Sequence, residues 1–178
     1  MRITLEIYQE RIEEIELYFR ALQDLYDTQS REENYAFYNG DFLKILKANA
    51  LIMIYNLVES SIMGGILEIY DELKTSGYSY KDVTKEIQDI WFSFKFNQVY
   101  DKNAHYNSYR DKAEEIINAI LQNEPLVMDR KATDISGNLD AKKIREICSE
   151  HGITYTIEPE CRGGIVLEDV KIKRNQLA

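Results

Sequence analysis

Lys171, Lys173, Arg174 and Asn175 lie close together in KIKRNQLA, the last eight residues of the sequence. The chain has a net charge of −9, but residues 125–178 contain equal numbers of acidic and basic side chains, so the whole excess lies in residues 1–124. Because local potential matters more than total charge for a small site, this segment could bind an anion. The alternative interpretation is a solvated helix face, and the sequence leaves both open.

Asn56 and Glu59 are a second polar pair, inside the apolar stretch IYNLVESSI. They are three positions apart and therefore share one face of a helix. A carboxylate among isoleucine, leucine and valine is costly to bury without a partner. We give equal weight to two interpretations, a structural tether to a neighbouring helix and the polar lining of a cleft that receives an arginine.

Arg145 and His151 combine a phosphate-binding group with a group that can move a proton. However, the six positions between them correspond to a rotation of about 600° along a helix, so the two side chains point well apart. His151 also precedes Gly152 at a predicted helix end, where a histidine interacts favourably with the helix dipole. The sequence therefore favours a capping role for His151.

Several other chemistries have no signature here. The sequence contains no Walker loop, no G-x-G-x-x-G and no nucleophile elbow, and its two histidines and two cysteines are too scattered for a zinc site. We therefore expect neither a metal nor a cofactor. Two cysteines fit a reducing cytosol, and no apolar run approaches the roughly 18 residues of a membrane span, so we expect a cytoplasmic protein without a membrane segment.

Few prolines and glycines, together with apolar residues at three- and four-residue steps, predict an all-α fold of five to six helices in one domain, residues 1–178. Gly64 and Gly65 mark either a kink or a close helix crossing. Residues 153–167 alternate like a strand but contain Pro159 and Gly163, which predicts a short extended pair or an ordered loop. The predicted helices span residues 4–26, 41–73, 79–94, 109–121, 140–151 and 167–178.

Three segments carry a resemblance to a known family: LKANALIMIYNLVESSI, SGNLDAKKIREICSEHGI and VKIKRNQLA. In content, order and spacing they resemble the MAE_28990/MAE_18760-like family of HEPN proteins, over most of the chain. HEPN domains are compact helical bundles of prokaryotic toxin–antitoxin and phage-defence systems. Their active motif is written in full as R-N-x-x-A-H, and residues 174–178 match it up to the last position, where the histidine would follow.

The resemblance implies a metal-independent RNA endonuclease, in which the RNA 2′-hydroxyl attacks the adjacent phosphorus. Arg174 then binds the phosphate and stabilises the transition state, since its planar fork matches phosphate oxygens and stays charged. Asn175 orients the histidine or the RNA. Lys171 and Lys173 contact the RNA substrate. Asn56 and Glu59 would support these residues, on weaker grounds than the motif itself.

The resemblance also implies a homodimer and a possible antitoxin protein as partner. Positions i and i+5 of one helix are about 500° apart in rotation, which is about 140° after one full turn. An arginine and a histidine at that spacing therefore do not face each other. A dimer can place two copies of the motif around one cleft, so that an arginine and a histidine come together there.

The matched residues stop one position before the motif histidine, whose proton transfer contributes about 10²–10⁴-fold, so we expect the chain as given to be inactive or nearly so. A natural truncation, a cloned fragment and a deliberate detoxification would each look like this. The alternative function is a non-catalytic HEPN module that binds RNA or a partner protein.

Overall fold

The computed structural model describes residues 2–31, 40–98, 106–133, 135 and 138–177. Within these ranges the chain forms six α-helices and no strand, which confirms the predicted all-α fold. Three short 3₁₀ turns, Tyr80–Asp82, Arg130–Ala132 and Pro159–Gly164, connect some of them. The helices are α1 Arg2–Arg31, α2 Gly40–Thr75, α3 Lys85–Asn97, α4 Tyr106–Leu121, α5 Ala141–Glu150 and α6 Ile165–Leu177.

Helix α2 runs for 36 residues and continues unbroken through the two glycines predicted to interrupt it. A methyl group at Gly65 would meet no atom within 4 Å, so a close helix crossing does not explain this glycine. By length and composition alone the helix could cross a membrane, with a mean hydropathy of 1.6 over one stretch of which 17% is buried, and a single helix of this kind is weak evidence of a span.

The segment predicted as one helix over residues 79–94 is divided in two. The Asp82 carboxylate accepts hydrogen bonds from the backbone N–H of Ser79 at 3.0 Å and from its hydroxyl at 2.5 Å. These bonds fix a short 3₁₀ turn, and Thr84 then takes an extended conformation before α3 begins. The division has a local cause, since serine and aspartate three residues apart close a capping box.

Residues 153–167 form no extended pair, so of the two predicted alternatives the loop is correct. Residues 153–158 have no regular structure, and a 3₁₀ turn over Pro159–Gly164 leads directly into α6. Proline lacks the N–H that a strand ladder needs. Arg162 and Gly163 adopt positive φ angles of 45° and 63°, which are incompatible with a strand.

Contacts divide the chain into two compact units, here called unit 1 (residues 1–62, 137–141 and 158–178) and unit 2 (residues 63–136 and 142–157). Unit 1 contains α1, most of α2, and α6, and only a few of its described side chains are fully buried: Leu43, Ala50, Tyr55, Leu139 and Val170. Unit 2 has the larger apolar core, centred on Ile66, Tyr70, Ile87, Trp91, Ile116, Leu126 and Ile147.

His151 is a buried polar residue in the core of unit 2. Its Nδ1 is 2.7 Å from the carbonyl oxygen of Ile147, in the last turn of α5, and its Nε2 is 2.8 Å from the Tyr70 hydroxyl. Since a carbonyl only accepts, Nδ1 carries a proton, and in the neutral imidazole Nε2 accepts from the Tyr70 hydroxyl. Burial lowers the pKa of His151 and so favours the neutral imidazole, and the bond to the Ile147 carbonyl confirms the capping role predicted for this residue.

We expect the stability of the protein to decrease as the pH falls below about 6.5, the ordinary pKa of histidine. Burial lowers the pKa of folded His151, against the opposing effects of the Ile147 carbonyl and Glu150. The unfolded chain therefore binds this proton more readily, and stability is lost from that pH down to the folded pKa. Urea unfolding at several pH values gives the free energy of unfolding as a function of pH. Its decrease below about pH 6.5 should be smaller in His151→Gln than in the wild type. An equal decrease in the variant would show that His151 is not the residue responsible.

Candidate functional site

Helix α6 carries the motif residues and has one face packed against the rest of unit 1. Val170 is buried, and Lys171 and Arg174 are half-buried. Val170 and Arg174 are four positions apart and so lie on the same face. Glu168 in the first turn and Arg174 in the last turn both complement the helix dipole, which favours a helix over this segment.

Arg174 stacks on the ring of Tyr55, with its guanidinium carbon 4.0 Å from the ring centroid. This separation is well within the roughly 6 Å over which a cation is attracted to an aromatic face. Tyr55 is only 1% exposed, and its hydroxyl accepts a hydrogen bond of 2.7 Å from the backbone N–H of Leu139. The arginine thus lies on a ring that is itself held by burial and by a hydrogen bond.

The tripeptide Asn138–Leu139–Asp140, immediately before α5, contacts α6 at two further points. The Asp140 carboxylate forms an ion pair with Lys171, and this hydrogen bond and charge raise the pKa of that lysine. The Asn138 side-chain oxygen is 3.4 Å from the amide nitrogen of Asn175, a long and weak hydrogen bond. Three consecutive residues therefore bind Asn175, Tyr55 and Lys171 in turn.

The structure brings together some of the predicted site residues. Lys171, Arg174 and Asn175 share the environment of Tyr55 and the tripeptide, whereas Lys173 is exposed on α6. Lys171, predicted to contact RNA, already has the Asp140 carboxylate as a partner. Its role in RNA binding therefore stays a prediction, and RNA would compete with this carboxylate for the same charge.

Asn56 and Glu59 differ from each other in exposure. Asn56 is exposed and lines a groove of about 260 Å³ together with Arg11 and Glu14 of α1. In this groove Arg11 donates a 3.0 Å hydrogen bond to Glu14. Glu59 is not among the lining residues, so both interpretations of the Asn56 and Glu59 pair stay predictions. Glu59 is half-buried, and it lies one helical turn after Tyr55 on the same face of α2.

Tyr55 was missed among the candidate residues, although it directly precedes Asn56 in the sequence. The available signal was a tyrosine in the most apolar stretch of the chain, because a buried tyrosine hydroxyl usually has a hydrogen-bond partner. Elsewhere, no group of three His, Cys, Asp or Glu side chains within the described residues is arranged to hold a metal ion.

The comparisons with known proteins identify the family of this chain. A sequence model described as HEPN_MAE_28990-like HEPN matches residues 5–178. The chain belongs to this HEPN family. Membership indicates a nuclease-type or RNA-related module, and the match includes α6 and the other HEPN segments that resemble the family. Searches of the curated proteins and of the solved structures found no match.

We expect Asp140→Asn to loosen α6 because it removes the negative charge that faces Lys171. Hydrogen exchange of the α6 amides should accelerate several-fold, since local opening becomes easier. Glu146→Gln is the matched control, because Glu146 pairs with Lys142 and Lys143 at 3.9 Å near the surface, where ion pairs contribute little. Equal acceleration in both variants would show that the Asp140 pair does not hold α6.

Proposed function

We propose that this HEPN chain provides the phosphate-binding part of a metal-independent RNA endonuclease, in the role of a toxin of a toxin–antitoxin or phage-defence system. The observation that carries the proposal is the placement of Arg174 on the buried ring of Tyr55. A guanidinium group held in this way keeps its charge and its planar fork, which match a phosphate. The family match over residues 5–178 supports RNA as the substrate class of this proposal.

In the proposed reaction the 2′-hydroxyl oxygen of RNA forms a bond with the adjacent phosphorus while the bond from phosphorus to the 5′-oxygen breaks. A base takes the proton of the 2′-hydroxyl, and an acid gives a proton to the departing 5′-oxygen. Arg174 binds the non-bridging oxygens, where negative charge develops. Asn175 is exposed beside it and orients the RNA or the motif histidine, which belongs one position beyond residues 174–178.

The net negative charge of the chain limits how it can bind RNA. With a net charge of −9, the chain has little long-range attraction for RNA. Binding therefore depends on contacts at the site, where α6 contributes the half-buried Arg174 and the exposed Lys173. Specificity for a particular RNA then comes from the cleft or from a bound partner.

We expect the chain with one histidine added after Ala178 to cleave RNA to products with a cyclic phosphate and a free 5′-hydroxyl. Cleavage should resist chelators and require the ribose 2′-hydroxyl. Arg174→Ala in that extended chain should lower the rate roughly 10²–10³-fold, the typical loss for a group that stabilises transition-state charge. Without the histidine the rate should fall about 10²–10⁴-fold.

Denaturing gels with end-labelled RNA, and with its 2′-deoxy equivalent, measure these rates. Arg110→Ala is the matched control, because Arg110 is an exposed arginine of α4 and should not affect cleavage. Cleavage that persists in Arg174→Ala would contradict the proposed role of this residue. RNA binding without cleavage by the extended chain would favour the second candidate, a non-catalytic RNA-binding module.

A protein partner is favoured by the surface of α1. No described side chain of residues 2–27 is fully buried, and several large apolar side chains are exposed: Ile3, Leu5, Ile7, Leu17, Phe19 and Tyr26. Exposed apolar surface of this kind is typical of protein–protein contact. We propose that α1 contributes to a homodimer in the cytoplasm, and that an antitoxin protein is a further partner.

Sedimentation analysis tests the homodimer and should give twice the chain mass of 20.9 kDa. Leu17→Glu should shift the equilibrium towards the monomer, because Leu17 is 64% exposed and a charge there is unfavourable only when a partner covers it. Glu16→Gln, on the adjacent exposed position of α1, is the control and should leave the mass unchanged. A monomer at all concentrations would contradict the homodimer.

A further inference from the structure

The long side chain of Arg174 presents a physical problem for any phosphate site. An unrestrained arginine occupies many rotamers, and fixing one of them on binding costs conformational entropy. Arg174 has a partner that restricts this freedom in advance, the ring of Tyr55, 4.0 Å from its guanidinium carbon. Restraint before binding lowers the entropy lost when the phosphate arrives.

We infer that Tyr55 is a positioning residue for Arg174, with the backbone N–H of Leu139 as its anchor. The inference rests on the proposed function, since it assumes that Arg174 binds an RNA phosphate. In this view, the buried ring of Tyr55 in α2 restricts the guanidinium group of Arg174 in α6 to an orientation that can bind the phosphate.

The geometry of the guanidinium group explains why stacking suits this task. Its five N–H donors lie in one plane, around the edge of the group. An aromatic ring below that plane contacts the face and does not consume these donors. Stacking on Tyr55 can therefore restrict the tilt of Arg174 without using any of its N–H donors.

The hydroxyl of Tyr55, which phenylalanine would lack, anchors the ring. This hydroxyl is 2.7 Å from the N–H of Leu139, which fixes the ring to the tripeptide Asn138–Leu139–Asp140. The flanking residues Asn138 and Asp140 bind Asn175 and Lys171 of α6. The ring and the helix that carries Arg174 are thus held by the same three residues, so their mutual position is defined.

Two measurements on chain 1–178 test the inference. The first is the NMR resonance of the Arg174 Nε–H, which the ring current of Tyr55 should shift upfield. The second is the affinity for a fluorescent RNA oligonucleotide with 2′-O-methyl riboses, which cannot be cleaved. Tyr55→Leu should abolish the shift and weaken binding roughly tenfold, nearly to the level of Arg174→Ala, because RNA binding must then fix the rotamer of Arg174 itself.

Tyr55→Phe is the conservative variant, because it retains the ring and loses only the bond to Leu139. It should keep an upfield shift and lose less than about threefold in affinity. Arg174→Lys keeps the charge without the planar group and should bind nearly as weakly as Arg174→Ala. These two variants keep the test decisive even if Tyr55→Leu does not fold.

Tyr70→Leu is the matched control, since Tyr70 is also 1% exposed and its hydroxyl also forms a buried hydrogen bond, to His151 in unit 2. Tyr70→Leu should retain the upfield shift and the RNA affinity. If the loss of any buried tyrosine weakened binding by destabilising the fold, this control would also lose affinity. Wild-type affinity in Tyr55→Leu or in Arg174→Lys would overturn the inference, as would an equal loss in Tyr70→Leu. Absence of RNA cleavage by the histidine-extended chain would instead overturn the enzymatic function alone, because these measurements need no turnover.

Discussion

The hydrogen bond from the Leu139 N–H to the Tyr55 hydroxyl is the interaction on which the arrangement of the site depends. It joins a buried residue of α2 to the segment that precedes α5, and Arg174 of α6 packs on the ring that it fixes. A net contribution of about 0.5–1.5 kcal/mol is ordinary for such a bond. Its importance comes from its position, since Asn138 and Asp140 on either side bind the same face of α6.

Much of the fold follows from the sequence because helix formation here is governed by local rules. The periodicity of apolar residues predicts all six helices, and Gly152 with a positive φ of 66° ends α5 where a terminal glycine is expected. The deviations also have local causes. The bonds between Ser79 and Asp82 divide one predicted helix, and Pro159 with Gly163 prevents an extended pair.

The site was less predictable because its contacts join residues distant in sequence. The motif directs attention to Arg174 and Asn175, but nothing in it identifies Tyr55, more than a hundred positions earlier. Lys171 illustrates the same difficulty, because its partner Asp140 is 31 positions away. From sequence alone, a basic residue near the motif is readily interpreted as a substrate contact. In the folded chain, however, Lys171 forms an ion pair with Asp140.

The exposed apolar side chains of α1 also have a thermodynamic consequence. A helix of 30 residues is about 45 Å long, and this one buries none of its described side chains completely. Any partner that covers α1 only in the folded state stabilises that state by mass action. The resistance of unit 1 to unfolding and proteolysis would then increase with partner concentration, so the lifetime of the protein in the cell would depend on how much partner is present.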